Sequence, residues 1–346
     1  MTVTTSQNTP VAEVPKSSGT RLVDRVFKMR ELAILVVFLV MIVVTQLGNS
    51  EFLTEQGIKD LLLNATILVL VAVGQSLVVI TRNVDLSVGS TLGISAFAAG
   101  IYLQGGGNPV VAVFLAVLMG IGFGLLNGLL VSLGQVPALV VTLGTLYIIR
   151  GIDSIWVGSR QITASALPDG FIDFGSGGIS AVPYLALIAV AVLVATAYYM
   201  KHFGSGRELY ALGSNPEAAR LAGIPVRKRI LVAYTFCGAL AGLAGALYLA
   251  RFGNVDSSTG NGYELTVVSA VVVGGVVFTG GSGSVYGAAL GALLLTSINS
   301  VLPALGVSSV WVLAINGILL ILAIAVDRVV ALRVAAALKK RNARHG

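Results

Sequence analysis

The fold class that this sequence predicts is an all-α polytopic membrane protein with about ten transmembrane helices, and three observations carry that prediction. Only 11% of the residues are charged while 56% are hydrophobic, whereas a soluble domain carries roughly a quarter charged residues. The apolar runs reach the roughly 20 residues that cross about 30 Å of hydrocarbon, and the mean hydropathy is +0.92. Those runs are continuous rather than alternating, which excludes an outer-membrane barrel. The 42 glycines fit the same class, because small residues let helices approach closely in lipid.

Along the chain, residues 1–30 are rich in Ser, Thr and Pro and then basic, and they lack the small-residue cleavage signature of a signal peptide. They read as a disordered basic cytoplasmic tail. A membrane region follows at 31–328, with a cytoplasmic loop at 201–229, and a basic cytoplasmic C-terminus at 329–346. The candidate spans are 32–48, 61–81, 86–103, 109–133, 136–157, 180–200, 230–250, 264–279, 283–305 and 309–326. The stretches at 86–103 and 264–279 are short and Gly-rich, which fits broken or re-entrant segments as well as full spans. The connection 158–179 is long and mixed in polarity, and is expected to hold a short interfacial helix or a gate.

Lys and Arg placement sets the orientation. Ten spans with both ends inside put the tail residues Lys16, Arg21, Arg25, Lys28 and Arg30, together with Arg82, on the cytoplasmic side. They are joined there by Lys201, Arg207, Arg220, Arg227, Lys228 and Arg229 of the 201–229 loop and by six basic residues after 327. Only Lys59, Arg160 and Arg251 fall outside, and Arg150 lies within a span. The net charge of +7 is thereby explained by anionic lipid beside the membrane ends, and no nucleic-acid partner is implied. The single cysteine, Cys237, excludes an intrachain disulfide framework and a multi-cysteine metal site.

Within the largest polar loop, residues 213–225 read GSNPEAARLAGIP. Ser214 or Asn215 can cap a helix, Pro216 suits its first position, and Glu217 complements the positive end of the dipole. Gly223 fits the left-handed position that closes a helix, and Pro225 forbids continuation. A helix of two turns over about 216–222 is predicted, too short to stand alone in water. It is either a well-capped connector or a docking element for a cytoplasmic partner. The pattern EAA-x₃-G, formed by Glu217, Ala218, Ala219 and Gly223, resembles the coupling loop of bacterial ABC-importer permeases, whose short helix seats in a cleft of the ATPase subunit.

A second polar interruption, TRNVDLSVGSTLG at 81–93, puts Arg82 and Asp85 in apolar surroundings, where each charge costs about 2.5–3.5 kcal/mol on insertion. Their spacing allows a pair on a helical turn. Asp85 reads either as an N-cap for the next helix or, with Ser87 and Ser90, as the lining of a polar pathway. Gly89, Ser90 and Gly93 share a G-S-x-x-G core with Gly283, Ser284 and Gly287, a weak internal repeat of the kind transporters carry. Asn64, Gln75, Asn127, Thr142, Arg150, Asn299 and Asn316 are the other polar residues within spans, and interhelical hydrogen bonding is their ordinary use. A path for a hydroxyl-rich solute needs donors, acceptors and aromatic faces. Asp85, Ser87, Ser90, Asn127, Thr142 and Trp156 are the expected pathway residues.

Four ordered blocks resemble the monosaccharide ABC permeases, the ribose, arabinose, xylose, rhamnose and autoinducer-2 group: NVDLSVGS, VPALVVTLGTLYIIRG at 136–151, GRELYALGSNPEAARLAGI at 206–224 and GGSGSVYGAALGALLL at 280–295. The blocks run in order from 83 to 295, and the resemblance covers about residues 32–330. The resemblance implies a type II, vitamin-B12-importer-like architecture and a permease subunit that translocates a monosaccharide or related small polyol across the bacterial inner membrane. It implies cytoplasmic ABC ATPase subunits as partners, engaged through Asn215, Pro216, Glu217, Ala218, Ala219, Arg220 and Gly223. It also implies a second permease copy or homologue and a periplasmic sugar-binding protein.

No G-x-x-x-x-G-K-[ST] phosphate loop is present in the sequence, so ATP and Mg are expected on the partner ATPase, with no cofactor bound by this chain. An ion-coupled secondary transporter is the alternative reading. It needs carboxylates in the spans, and Asp85, Asp153 and Glu264 all sit near span ends. An intramembrane enzyme lacks any nucleophile–base or metal-ligand pattern.

Overall fold

The structure, a computed structural model, describes residues 18–48, 52–304 and a set of separate positions between 306 and 325. The expected span at 309–326 lies largely outside the described residues, and the basic C-terminus at 329–346 lies wholly outside them. The other nine expected spans are all helical. They are α1 (Ser18–Gly48), α2 (Glu55–Ile80), α3 (Val88–Gln104), α4 (Pro109–Ser132), α5 (Ala138–Val157), α7 (Tyr184–His202), α10 (Val226–Phe252), α11 (Tyr263–Val273) and α12 (Val285–Ala304). Six of them are long and apolar enough to cross a membrane, and Ile34–Gly48, Val88–Gln104 and Tyr263–Val273 are shorter apolar helices. The chain is an all-α polytopic membrane protein.

One expectation for the tail is corrected here. Residues 18–30, read from sequence as disordered, are the first turns of α1. No proline lies between Pro15 and Pro109, and extending a helix costs far less than starting one.

α2 is the centre of the bundle. It is hydrophobic on every side, and every residue from Ala65 to Ile80 is buried, as the all-round apolar pattern requires. α10, α12, α7 and α11 surround it. α10 packs most extensively on α4, and the reason is backbone contact: a Cβ on Gly120 would stand 2.1 Å from the Gly238 carbonyl, and one on Gly238 would stand 2.2 Å from the Gly120 carbonyl. Only glycine on both helices permits that approach. α4, α5 and α7 keep one face exposed, with Phe114, Leu118, Val140, Ile148, Ile155 and Val190 among its large apolar residues.

The mixed connection 158–179 does contain a short helix, α6 (Asp169–Ser176), followed by a two-stranded turn pairing Gly178–Ile179 with Val182–Pro183. α6 buries Phe171 and Gly175 and packs against α10.

α11 is too short to span. Its 11 residues rise only about 16 Å, half the hydrocarbon thickness. The segments on either side of it, 253–262 and 274–284, are therefore drawn into the bundle. The loop at 81–87 is drawn in the same way between α2 and α3. Both segments of the G-S-x-x-G echo stand at a helix start, Gly89 and Ser90 in the first turn of α3 and Gly283 and Ser284 just ahead of α12.

At the end of the bundle where α7 finishes, two short helices follow: α8 (Gly204–Ser214), which periodicity did not single out, and α9 (Pro216–Leu221), one residue shorter than expected.

Candidate functional site

α2 terminates at Ile80 because Thr81 bonds back to its last turn and Arg82 enters the left-handed region at φ 66°. The chain then folds back under α2. Asp85, 1% exposed, is held by its main chain and its side chain at once. The Gln75 carboxamide, with its nitrogen facing the Asp85 carbonyl, pairs with both main-chain groups of Asp85 at 3.2 and 3.1 Å. The carboxylate Oδ1 accepts from the Ser87 main-chain N–H (2.9 Å), the Ser87 hydroxyl (2.7 Å) and, more distantly, Asn127 Nδ2 (3.4 Å). Asn127 Nδ2 also donates to Ser87 Oγ at 2.8 Å.

One residue earlier, the Val84 carbonyl accepts from Tyr234 Oη at 3.0 Å and from Thr142 Oγ1 at 3.3 Å. Ser90 Oγ turns back to the Ser87 carbonyl. Four helices, α2, α4, α5 and α10, thus converge on the 81–87 loop through hydrogen bonds, while Val84 and Leu86 pack into the hydrophobic core. In a medium where a buried charge is expensive unless hydrogen-bonded, this network is what lets Asp85 sit there.

Five of the six expected pathway residues, Asp85, Ser87, Ser90, Asn127 and Thr142, are therefore neighbours, all within 1% of complete burial. They form a closed polar junction in this conformation. Asp85 is not the N-cap of α3: Ser87 takes that position without a side-chain cap hydrogen bond, and the Asp85 carboxylate closes a local turn onto the Ser87 N–H instead. Trp156 stands apart. It lies 14 residues beyond Thr142 on α5, about 21 Å along the axis, and packs edge-on to Phe97 with ring centroids 5.3 Å apart. The Arg82–Asp85 pair permitted by spacing does not form. Arg82 Nε donates instead to the Thr279 carbonyl at 2.6 Å, because the left-handed turn at Arg82 directs its side chain away from the loop.

That contact belongs to a backbone junction. The Gly281 N–H donates to the Ile80 carbonyl at 2.9 Å. The end of α8 is pressed against both: a Cβ on Gly213 would stand 1.8 Å from Ile80 O and 2.5 Å from Gly281 N. Tyr210 of α8 donates to the Gly283 carbonyl at 3.2 Å, and burial pushes its phenol up to about 12, so it stays a donor at any working pH. Arg229 pairs with Glu208, tying α8 to the start of α10.

Directly after Gly213 comes α9. Asn215 Oδ1 accepts from the Glu217 and Ala218 N–H groups, both at 3.1 Å, so Asn215, rather than Ser214, is the cap. Pro216 occupies the first turn. Gly223 takes φ 80° with open space around it, and the Ile224 N–H closes the end on the Ala219 carbonyl at 3.0 Å. Ala219 is the buried residue of the helix, 4% exposed. Glu217 and Arg220 form a 3.0 Å ion pair that is largely exposed, and Leu221 is 85% exposed.

Sequence reasoning missed Tyr234, Gly213 and Leu221. Nothing in the surrounding residues distinguishes them, since each role depends on a segment distant in sequence. Gln75 was marked only as polar within a span. Arg150 fastens α5 to the loop before α11: its Nη1 donates to the Thr259 carbonyl at 2.8 Å and lies 3.9 Å from the buried Asp153.

Comparison with known proteins agrees with this architecture. Residues 57–324 match the model of the branched-chain amino acid transport system permease component family. The ribose import permease protein RbsC of Escherichia coli strain K12 is 34% identical over 312 residues, covering 90% of this chain and 97% of RbsC. The autoinducer 2 import system permease protein LsrC of Escherichia coli O157:H7 is 36% identical over 301 residues, 86% of each chain. LsrC of Salmonella paratyphi B is 37% identical over 276 residues, covering 79% and 78%. No solved structure matches. On the strength of a family match over most of its length and relatives that align almost end to end, the chain belongs to the branched-chain amino acid transport system permease component family.

Proposed function

We propose that this chain is the membrane-embedded permease subunit of an ATP-driven importer for a monosaccharide or a related small polyol, of the ribose or autoinducer-2 type. The observation that carries the reading is the end-to-end likeness to permeases of ribose and autoinducer 2 import. α9 supports it, as an exposed and fully capped helix of the kind a second subunit grips. ATP and Mg belong to a separate cytoplasmic ATPase, which docks on residues 215–223. A second permease, either a copy or a homologue, completes the membrane unit, and a periplasmic binding protein delivers the sugar. Both termini are cytoplasmic, on the Lys and Arg distribution.

In this cycle, closure of the ATPase dimer displaces α9, and the rigid end of α8 carries the displacement to Ile80 and Gly281. The Asp85 loop and the 274–284 segment then move together. ATP drives the switch only because it binds one arrangement more tightly than the other.

Proteoliposome uptake of radiolabelled ribose, with and without the ATPase and binding protein, tests the proposal. Uptake by this chain alone under an ion gradient would overturn it and favour the ion-coupled carrier. Glu217→Lys is expected to insert normally and lose co-purification with the ATPase, and normal coupled transport by that variant means the docking assignment is wrong. Asp85→Asn is expected to impair transport while the ATPase stays bound.

A further inference from the structure

Residues 131–138 and 216–230, two connections far apart in sequence, together line a cleft of about 740 Å³. It shares Pro216, Glu217 and Arg220 with α9 and Asn83 with the 81–87 loop, and the rest of its lining has no part in the proposed transport cycle. Three independent features give it a common chemistry.

The first is charge. Arg220, Arg227 and Lys228 line it, and Glu217 is the one acid among the lining residues. Glu217 is already paired with Arg220, so Arg227 and Lys228 are left as a surplus of positive charge.

The second is the backbone. α5 and α10, helices of 20 and 27 residues, both begin at this cleft, at Ala138 and Val226, and neither has a side-chain cap. The Val140 and Val226 N–H groups donate to the Pro137 and Ile224 carbonyls; the other first-turn N–H groups and the dipoles direct partial positive charge into the same space.

The third is an unmet hydrogen bond. Ser132 lines the cleft and is 5% exposed, yet its Oγ has no hydrogen-bond partner among the described residues. A buried hydroxyl left so is costly unless something fills the space beside it.

Cations, free N–H groups and a spare hydroxyl all call for an anion with several acceptor oxygens, and a phosphate group meets all three. The cleft is larger than a bare phosphate needs, and Val131, Val136, Ile224 and Ile230 supply apolar wall. Leu133 and Leu139, on either side of the α4–α5 turn, are more than half exposed and continue that wall onto the membrane-facing surface.

We infer that the cleft between α9, the α4–α5 turn and the start of α10 binds the phosphate of an acidic ligand, and that an acidic phospholipid headgroup is its occupant. A soluble phosphate compound shares the chemistry but not the apolar wall. An occupant there would brace α9 from behind, so bound phospholipid would stiffen the seat of the helix.

The test uses the full chain, purified in detergent and equilibrated with phosphatidylglycerol, phosphatidylcholine or inorganic phosphate, with retained ligand read by native mass spectrometry and ³¹P NMR. Wild type is expected to retain phosphatidylglycerol over phosphatidylcholine by about tenfold or more, with the Arg227→Gln/Lys228→Gln double variant losing most of that preference. Ser132→Ala is expected to weaken retention several-fold. Lys201→Gln, at the same end of the bundle but outside the cleft, is expected to leave it unchanged. Displacement of phosphatidylglycerol by millimolar inorganic phosphate, which then binds in its place with the same dependence on Arg227 and Lys228, upholds the phosphate site and assigns it to soluble ligands. Equal retention of both lipids, or a double variant that melts like wild type and keeps the preference, overturns the proposal.

Discussion

Residues 80–87 and 213–223 are both polar interruptions between apolar helices, and they meet at Ile80 and Gly213. They are built in opposite ways. The Asp85 loop satisfies its polar groups with partners from four other helices and hides them almost completely. α9 satisfies its own with residues two to five positions away, through Asn215, Gly223 and Ile224, and leaves its outer side open. One is held by the protein and the other is prepared for something outside it. Between them, α8 makes a rigid seam. The difference shows how a locally capped, exposed helix and a firmly packed polar core can lie within a few ångströms of one another: they share a backbone junction but no side-chain network.

The sharpest way to break that arrangement is at the seam. Gly213→Ala is expected to cost about 3 kcal/mol or more, because its new methyl would overlap backbone atoms that cannot rotate aside. Thermal unfolding in detergent measures it, and a cost under about 1 kcal/mol would mean that the junction yields. Asp85→Ala comes next, at about 2–3 kcal/mol, since it leaves the Ser87 N–H buried without its acceptor. Asp85→Asn keeps an oxygen there and is expected to recover most of that loss. If both variants melt alike, the network contributes less than its geometry implies.

On the docking side the effects are smaller and local. Gly223→Ala forces an L-residue to remain at φ 80°, at about 1–2 kcal/mol, and Asn215→Ala removes a cap worth about 1 kcal/mol. Both are expected to speed hydrogen exchange over 216–224 while leaving the global melting temperature unchanged. A global shift would mean that α9 is part of the core after all. Arg220→Ala is the smallest, no more than about 0.5 kcal/mol, because its pair with Glu217 is largely exposed. Within this set, Gly213→Ala and Gly223→Ala separate steric from conformational demands on glycine. The first position needs the absence of a side chain, and the second needs only the left-handed backbone.

The regions differ in the same way in how far sequence reveals them. α9 was legible down to a choice between Ser214 and Asn215 for its cap, because Asn-Pro at the start and Gly at the close act over a few residues. The spans were legible because bilayer thickness demands a minimum apolar length. The membership of the Asp85 cluster was legible in part, since buried polar residues in spans are rare enough to attract attention. Their wiring was not: that Gln75 holds the Asp85 backbone, that Tyr234 reaches Val84 across 150 positions, and that Arg82 turns to Thr279 rather than Asp85 are facts of tertiary packing. Trp156 shares the chemistry of that set on paper but lies about 21 Å along α5 from Thr142.

By itself, then, the sequence determined the membrane class, the approximate spans, the charge asymmetry and the local build of the docking helix. Each follows from hydrophobic length, basic-residue placement or hydrogen bonds between near neighbours. Only the tertiary structure decided where the 81–87 loop is buried, that the end of α8 packs against the Ile80–Gly281 junction, and that two unrelated connections enclose a cationic cleft with a spare hydroxyl. Those outcomes depend on which backbones come within a few ångströms of each other, and helix packing sets that distance rather than any run of adjacent residues.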